Sequence, residues 1–210
     1  MRYIFYSIIY CFISILPLQP CFSQGSGNAP ELLGKLKKAV YSENGWRAGF
    51  IFDDQKGTMW MLKDRVKISF NETLLFFDGK TVSQYLPDAN ELTLTNAEDF
   101  FEPDELSFLD PSELFNLNAA DFEITFLDET IIDGKNISGL NLVPKNKKLH
   151  YKSLQISIDK ASGLPVKVNT TQKDGTVQEL YLIPIQERVT ETDVKFNDKS
   201  FPGIEIIDLR

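Results

Sequence analysis

The spacing of apolar residues changes twice along this 210-residue chain. After Pro30, the apolar positions Leu32, Leu33, Leu36, Ala39 and Val40 recur at helical intervals. Pro30 suits a first helical turn and Asn44-Gly45 a stop, so the pattern predicts one amphipathic helix over 30–42. From Trp46 the interval becomes two. Strands are predicted over 46–52, 57–63, 65–70, 73–78, 81–86 and 90–94, with Phe50 and Phe52 sharing a face. Asp78-Gly79, Asp133-Gly134 and Asp174-Gly175 are hairpin signals, because Gly tolerates positive φ. The stretch 96–119 breaks the alternation. It is acidic and carries Pro103 and Pro111, and Asp110-Pro111-Ser112-Glu113 reads as a helix start, so two short helices are expected there. Alternation resumes near 121–127, 130–134, 137–143, 149–158, 164–171 and 176–183, with a final pairing expected at 192–196. Turns at short, regular intervals favour an antiparallel sheet or barrel over a βαβ fold, giving an α+β, mainly antiparallel class.

The first residues stand apart from this pattern. Arg2 is followed by an apolar run from Tyr3 to Leu16, broken by Pro17 and Pro20. That is the length of a signal-peptide core and short for a membrane span. Residues 1–23 are therefore expected to be a signal cleaved after Ser23, with 24–210 as one domain. The other reading makes Cys21 an acylated residue. Both cysteines, 11 and 21, lie in that segment, so the remaining chain is expected to have no disulfide and no thiol chemistry.

Residues 1–23 hold one basic residue and no acidic one, which leaves 21 Lys+Arg against 30 Asp+Glu, a balance of −9. Such a surface repels phosphate and argues against nucleic acid or anionic membranes as partners. A single histidine, His150, has no Ser or Cys at a recognisable spacing, and ordinary zinc sites lack their ligands. Pairs such as Asp53-Asp54 sit beside Lys56-Gly57 in an apparent turn. No catalytic set is visible, so no enzyme activity and no cofactor are expected.

The remaining signal is apolar. The chain has 16 Phe. A sheet face bearing Phe50, Phe52, Met59, Met61, Ile68, Phe70, Leu75 and Phe77 could line a lipid-sized cavity, covered by a lid containing Leu106, Phe108, Leu109, Leu114 and Phe115. A one-residue slip would send the opposite set inward, with Trp60 and Leu62 as alternates on their strand.

Several short motifs occur in a telling order: Gly57-Thr58-Met59-Trp60, Phe77-Asp78-Gly79-Lys80-Thr81-Val82, Tyr85-Leu86-Pro87, Asn90-Glu91-Leu92, Pro111-Ser112-Glu113-Leu114-Phe115, Leu140-Asn141-Leu142-Val143-Pro144 and Pro202 to Arg210. Together they resemble the LolA-like lipoprotein carriers of Bacteroidetes-type bacteria, over roughly 30–210. The resemblance implies an incomplete, half-open β-barrel with a helical lid over an apolar cavity. It implies a monomeric periplasmic carrier that takes acylated lipoproteins from an inner-membrane lipoprotein-releasing ABC transporter towards the outer membrane, with an acceptor there as a further partner. An Arg-Pro pair that latches the lid in proteobacterial members falls here on Lys63-Asp64 with Arg65 nearby, leaving Lys63 and Arg65 as alternative latch residues. The competing reading is a lipid- or lipoprotein-binding sensor on the same fold.

Overall fold

A computed structural model describes residues 28–100, 117–149, 151–185 and 187–210. The helix α1 spans Ala29–Val40. The Asn28 side chain accepts from the Glu31 N–H at 3.4 Å, and Pro30 occupies the first turn, where its missing N–H costs nothing. Leu33, Leu36 and Val40 are buried along one stripe. The helix stops two residues before the predicted end, where the Tyr41 N–H donates to the Lys37 carbonyl at 3.0 Å.

Among the described residues twelve strands follow: β1 (Trp46–Phe52), β2 (Gln55–Leu62), β3 (Arg65–Phe70), β4 (Thr73–Phe77), β5 (Thr81–Leu86), β6 (Glu91–Asn96), β7 (Phe122–Ile132), β8 (Lys135–Pro144), β9 (Tyr151–Asp159), β10 (Pro165–Gln172), β11 (Val177–Ile185) and β12 (Glu205–Asp208). Short helices α2 (Ala97–Phe100) and α3 (Glu191–Val194) lie between them. The strands form one sheet in the order β12-β6-β5-β4-β3-β2-β1-β11-β10-β9-β8-β7. Each described pairing is antiparallel except that of β12 with β6. The terminal strands β12 and β7 do not pair with each other, so the sheet is open, the incomplete barrel that the resemblance implies.

The hairpins explain why the meander closes so tightly. Asp53 and Asp54 (φ 49° and 62°), Asn71 and Glu72 (49° and 62°), and Asp133 and Gly134 (49° and 74°) place both central residues in the left-handed region. Such turns match the right-handed twist of the flanking strands. The Asp78 carboxylate accepts from the Lys80 and Thr81 N–H groups at 3.0 and 2.8 Å, which fixes the β4–β5 turn.

Three sequence expectations differ from the structure. The separate strands at 121–127 and 130–134 are one strand, β7, with an irregularity between Leu127 and Thr130 that absorbs the break in alternation at Asp128-Glu129. The strand expected at 192–196 is instead α3, because the Asp193 carboxylate accepts from the Thr190 N–H at 2.7 Å and starts a helical turn. The last strand comes later, as β12, anchored by Glu205 N–H to the Asn90 carbonyl (3.0 Å) and Leu209 N–H to the Leu94 carbonyl (2.9 Å).

The main core lies on one face of the sheet. Leu75 and Val82 at one side and Phe122 and Leu140 at the other belong to a single cluster with α1, so the sheet curls around its contents. The opposite face carries a small second cluster, Leu62, Val189 and Val194, against which Trp60 packs. Beside it, Phe196 meets Phe76 edge-on at 5.4 Å and stacks on Phe201 at 5.2 Å, pinning the C-terminal segment.

Candidate lipid-binding face

Strand register settles which residues share the inner face. Phe50 pairs with Gly57 and Trp46 with Met61 across β1–β2. Gly57 then pairs with Phe70 and Met59 with Ile68 across β2–β3, and Ile68 with Leu75 and Val66 with Phe77 across β3–β4. Directly paired residues point to the same side of a sheet, and positions two apart do likewise. The eight sheet candidates, Phe50, Phe52, Met59, Met61, Ile68, Phe70, Leu75 and Phe77, therefore line one face. The alternates Trp60 and Leu62 are on the other. Phe50, Met59, Met61, Ile68 and Leu75 are buried, and Phe52, Phe70 and Phe77 are half-buried.

Gly57 has a specific role on this face. A Cβ there would lie 2.1 Å from Cζ of Phe50, so the ring rests directly on the bare backbone. That ring sits 5.5 Å from the Phe70 ring at an interplanar angle of 35°. Two aromatic side chains from flanking strands thus converge over one glycine.

The same face continues through four later strands, whose inward residues are not among the sheet candidates. Phe50 pairs with Leu182, Leu180 with Val168, Val168 with Ile156, and Ile156 with Leu140. The alternation Leu154-x-Ile156-x-Ile158 carried the signal for β9. It could have been read directly.

The lid candidates Leu106, Phe108, Leu109, Leu114 and Phe115, and His150, lie outside the described residues. The two latch candidates have other partners among those described. Lys63 pairs with Glu43 at 2.9 Å, which holds its ammonium above the ordinary lysine range. Arg65 pairs with Glu191 of α3 at 2.7 Å, on the face opposite Val66 and Ile68. On that outer face Lys67 lies 4.6 Å above the Trp60 ring, and burial lowers its pKa. Asp53 and Asp54 are exposed in a hairpin turn, and no group of three metal-ligating side chains occurs among the described residues. No helix among them is long and apolar enough to cross a membrane.

The sequence matches the family described as outer membrane lipoprotein carrier protein LolA over residues 52–199. The chain belongs to the LolA family. That match runs from the end of β1 to the segment after α3 and includes most of the inner face. The family's description is that of a carrier protein. Among solved structures, the fold is similar to an uncharacterized conserved protein from Thermus thermophilus (TM-score 0.59, 13% identity, 86% of this chain and 98% of that one). It is also similar to MucB (TM-score 0.51, 15% identity, 82% of this chain and 64% of that one), a protein also solved from Pseudomonas aeruginosa. At these identities the likeness is one of fold. No curated protein matches the sequence.

Proposed function

We propose that this LolA-family chain is a periplasmic carrier that shields the acyl chains of lipoproteins on its inner face and shuttles them from the inner to the outer membrane. Residues 1–23 act as its cleaved export signal and 24–210 as the carrier domain. One observation supports the reading above others: Phe50, Phe52, Met59, Met61, Ile68, Phe70, Leu75 and Phe77, from four adjacent strands, share one face of an open sheet.

The energetics define what such a carrier must do. Each acyl CH2 in water costs about 0.8 kcal/mol, so one sixteen-carbon chain costs on the order of 12 kcal/mol. The face must offset most of that and still let go. A cover that yields meets both needs, and the segment holding Leu106, Phe108, Leu109, Leu114 and Phe115 takes that role, with Lys63 rather than the outer-face Arg65 as its latch. Loading comes from an inner-membrane lipoprotein-releasing ABC transporter and unloading goes to an outer-membrane acceptor.

The test is displacement of a fluorescent fatty acid from the protein by a synthetic triacylated peptide, beside the same peptide without its acyl chains. Saturable displacement by the acylated peptide alone is expected. Equal displacement by both, or by neither, refutes acyl recognition. A second reading is a non-carrier sensor on the same fold, in keeping with the likeness to MucB, which is also solved in complex with MucA. A carrier delivers its bound lipopeptide to acceptor vesicles; a sensor retains it.

A further inference from the structure

A cleft of about 640 Å³ opens at the end of α1, bounded by the α1–β1 connection, the β9–β10 turn and the segment after β11. Its charge is opposite to that of the protein. Lys35 and Lys38 reach it from one side, three residues apart on one helix face, and Arg188 from the other. The one carboxylate in its lining, Glu187, is already paired with Arg47 at 3.0 Å. In a chain of net charge −8, three cations converging on one concavity run against the overall charge.

The cations differ in a useful way. The Lys35 ammonium donates to the Lys160 carbonyl, which holds it at the rim. Lys38 and Arg188 are exposed and have no ion-pair partner among the described residues. The exposed side-chain amide of Asn44 adds neutral donors, and only its backbone N–H and carbonyl take part in the described hydrogen bonds. The floor is apolar: Trp46 and Leu164 are 2% and 6% exposed and belong to the same cluster as Phe50 and Met59.

We propose that this cleft binds a phosphate-type anion, with Lys35, Lys38 and Arg188 as its cationic ligands and the Asn44 amide as a donor. Guanidinium and ammonium groups give phosphate oxygens charge-assisted hydrogen bonds, roughly twice as strong as neutral ones. The apolar lining bears on the source of the anion. A lipid phosphodiester would set its glycerol and first methylenes against Ala39 and the aliphatic stems of Lys35 and Lys38, whereas free phosphate would leave that surface unused. The site is independent of acyl carriage on the inner face and stands or falls by its own test.

The test is calorimetric titration of the 24–210 protein with three probes: sodium phosphate, glycerol 3-phosphate, and dihexanoyl phosphatidylglycerol below its micellar concentration. Tryptophan fluorescence gives a second readout, since Trp46 is one of only two tryptophans. Saturable binding is expected. It should weaken by at least about tenfold in Lys38→Gln/Arg188→Gln and stay unchanged in Lys56→Gln, an exposed lysine of the β1–β2 hairpin. Both replaced residues are exposed, and far-ultraviolet circular dichroism verifies the fold of the double variant. Comparable binding of all three probes identifies free phosphate chemistry; tighter binding of the lipid that is lost in the double variant identifies a headgroup. No saturable binding by any probe, or wild-type binding by the double variant, overturns the proposal.

Discussion

Gly57→Ala is the smallest change that probes the inner face. The added Cβ would lie 2.1 Å from Cζ of Phe50 and 2.5 and 2.7 Å from Cε1 and Cε2, whereas ordinary contact begins near 3.4 Å. The ring must therefore retreat by about 1.3 Å. Phe50 is 2% exposed and packed against Phe70, so the retreat is resisted. Overpacking of this kind costs about 1–3 kcal/mol, and removing a strand glycine returns about 0.5–1 kcal/mol. The net expectation is a loss of about 1 kcal/mol, or about 2–4 °C in Tm for a domain of this size. Phe50→Leu removes the three clashing ring atoms. In that background Gly57→Ala should be neutral or stabilising, giving a coupling of at least about 1 kcal/mol. Urea unfolding of the four proteins followed by Trp fluorescence, with unchanged m-values, measures the cycle. An equal cost of Gly57→Ala in both backgrounds, or no cost in the wild type, refutes the placement of the ring over the glycine.

Other consequences are equally concrete. Gly45 has φ +63°, and a Cβ there would lie 2.6 Å from the Met61 carbonyl oxygen and 2.7 Å from Val189 Cβ, so Gly45→Ala should cost about 2–5 kcal/mol in urea unfolding. Leu106→Glu with Phe108→Glu should abolish displacement of the fatty-acid probe; unchanged binding would place the cover elsewhere. The Asp208 carboxyl, held by hydrogen bonds from the Arg210 side chain, is lowered to about 2 from an ordinary 3.8. A carboxyl with a lowered folded-state pKa stabilises above its unfolded pKa and loses that contribution as pH falls through the folded value. The Asp208–Arg210 contact should therefore be lost between about pH 4 and 2. Carboxyl NMR of Asp208 checks this, with a midpoint near 4 counting against the pairing.

Much of this architecture was legible because its determinants are local. Asp78-Gly79 and Asp133-Gly134 mark hairpins on their own, and period-two alternation in 46–86 marks the strands, while the parity that faces inward is decided by the strand register. β12 was missed for the opposite reason. Its four residues pair in parallel with β6, more than a hundred positions earlier, and no turn signal announces such a partner. The helix α3 was misread as a strand although Thr190-x-x-Asp193 carries a capping signature. The Lys35–Lys38–Arg188 cleft joins two helical residues to one about 150 positions later, a juxtaposition that only the folded chain displays. The partners of Lys63 and Arg65, Glu43 and Glu191, are likewise set by tertiary packing.

Native mass spectrometry with lipid extraction, on protein purified from its native host, tests acyl carriage most directly. The account predicts bound lipoprotein or acyl chains that are lost when Leu106 and Phe108 are replaced by glutamate. A protein that is empty, and that stays empty when offered triacylated peptide, would contradict it.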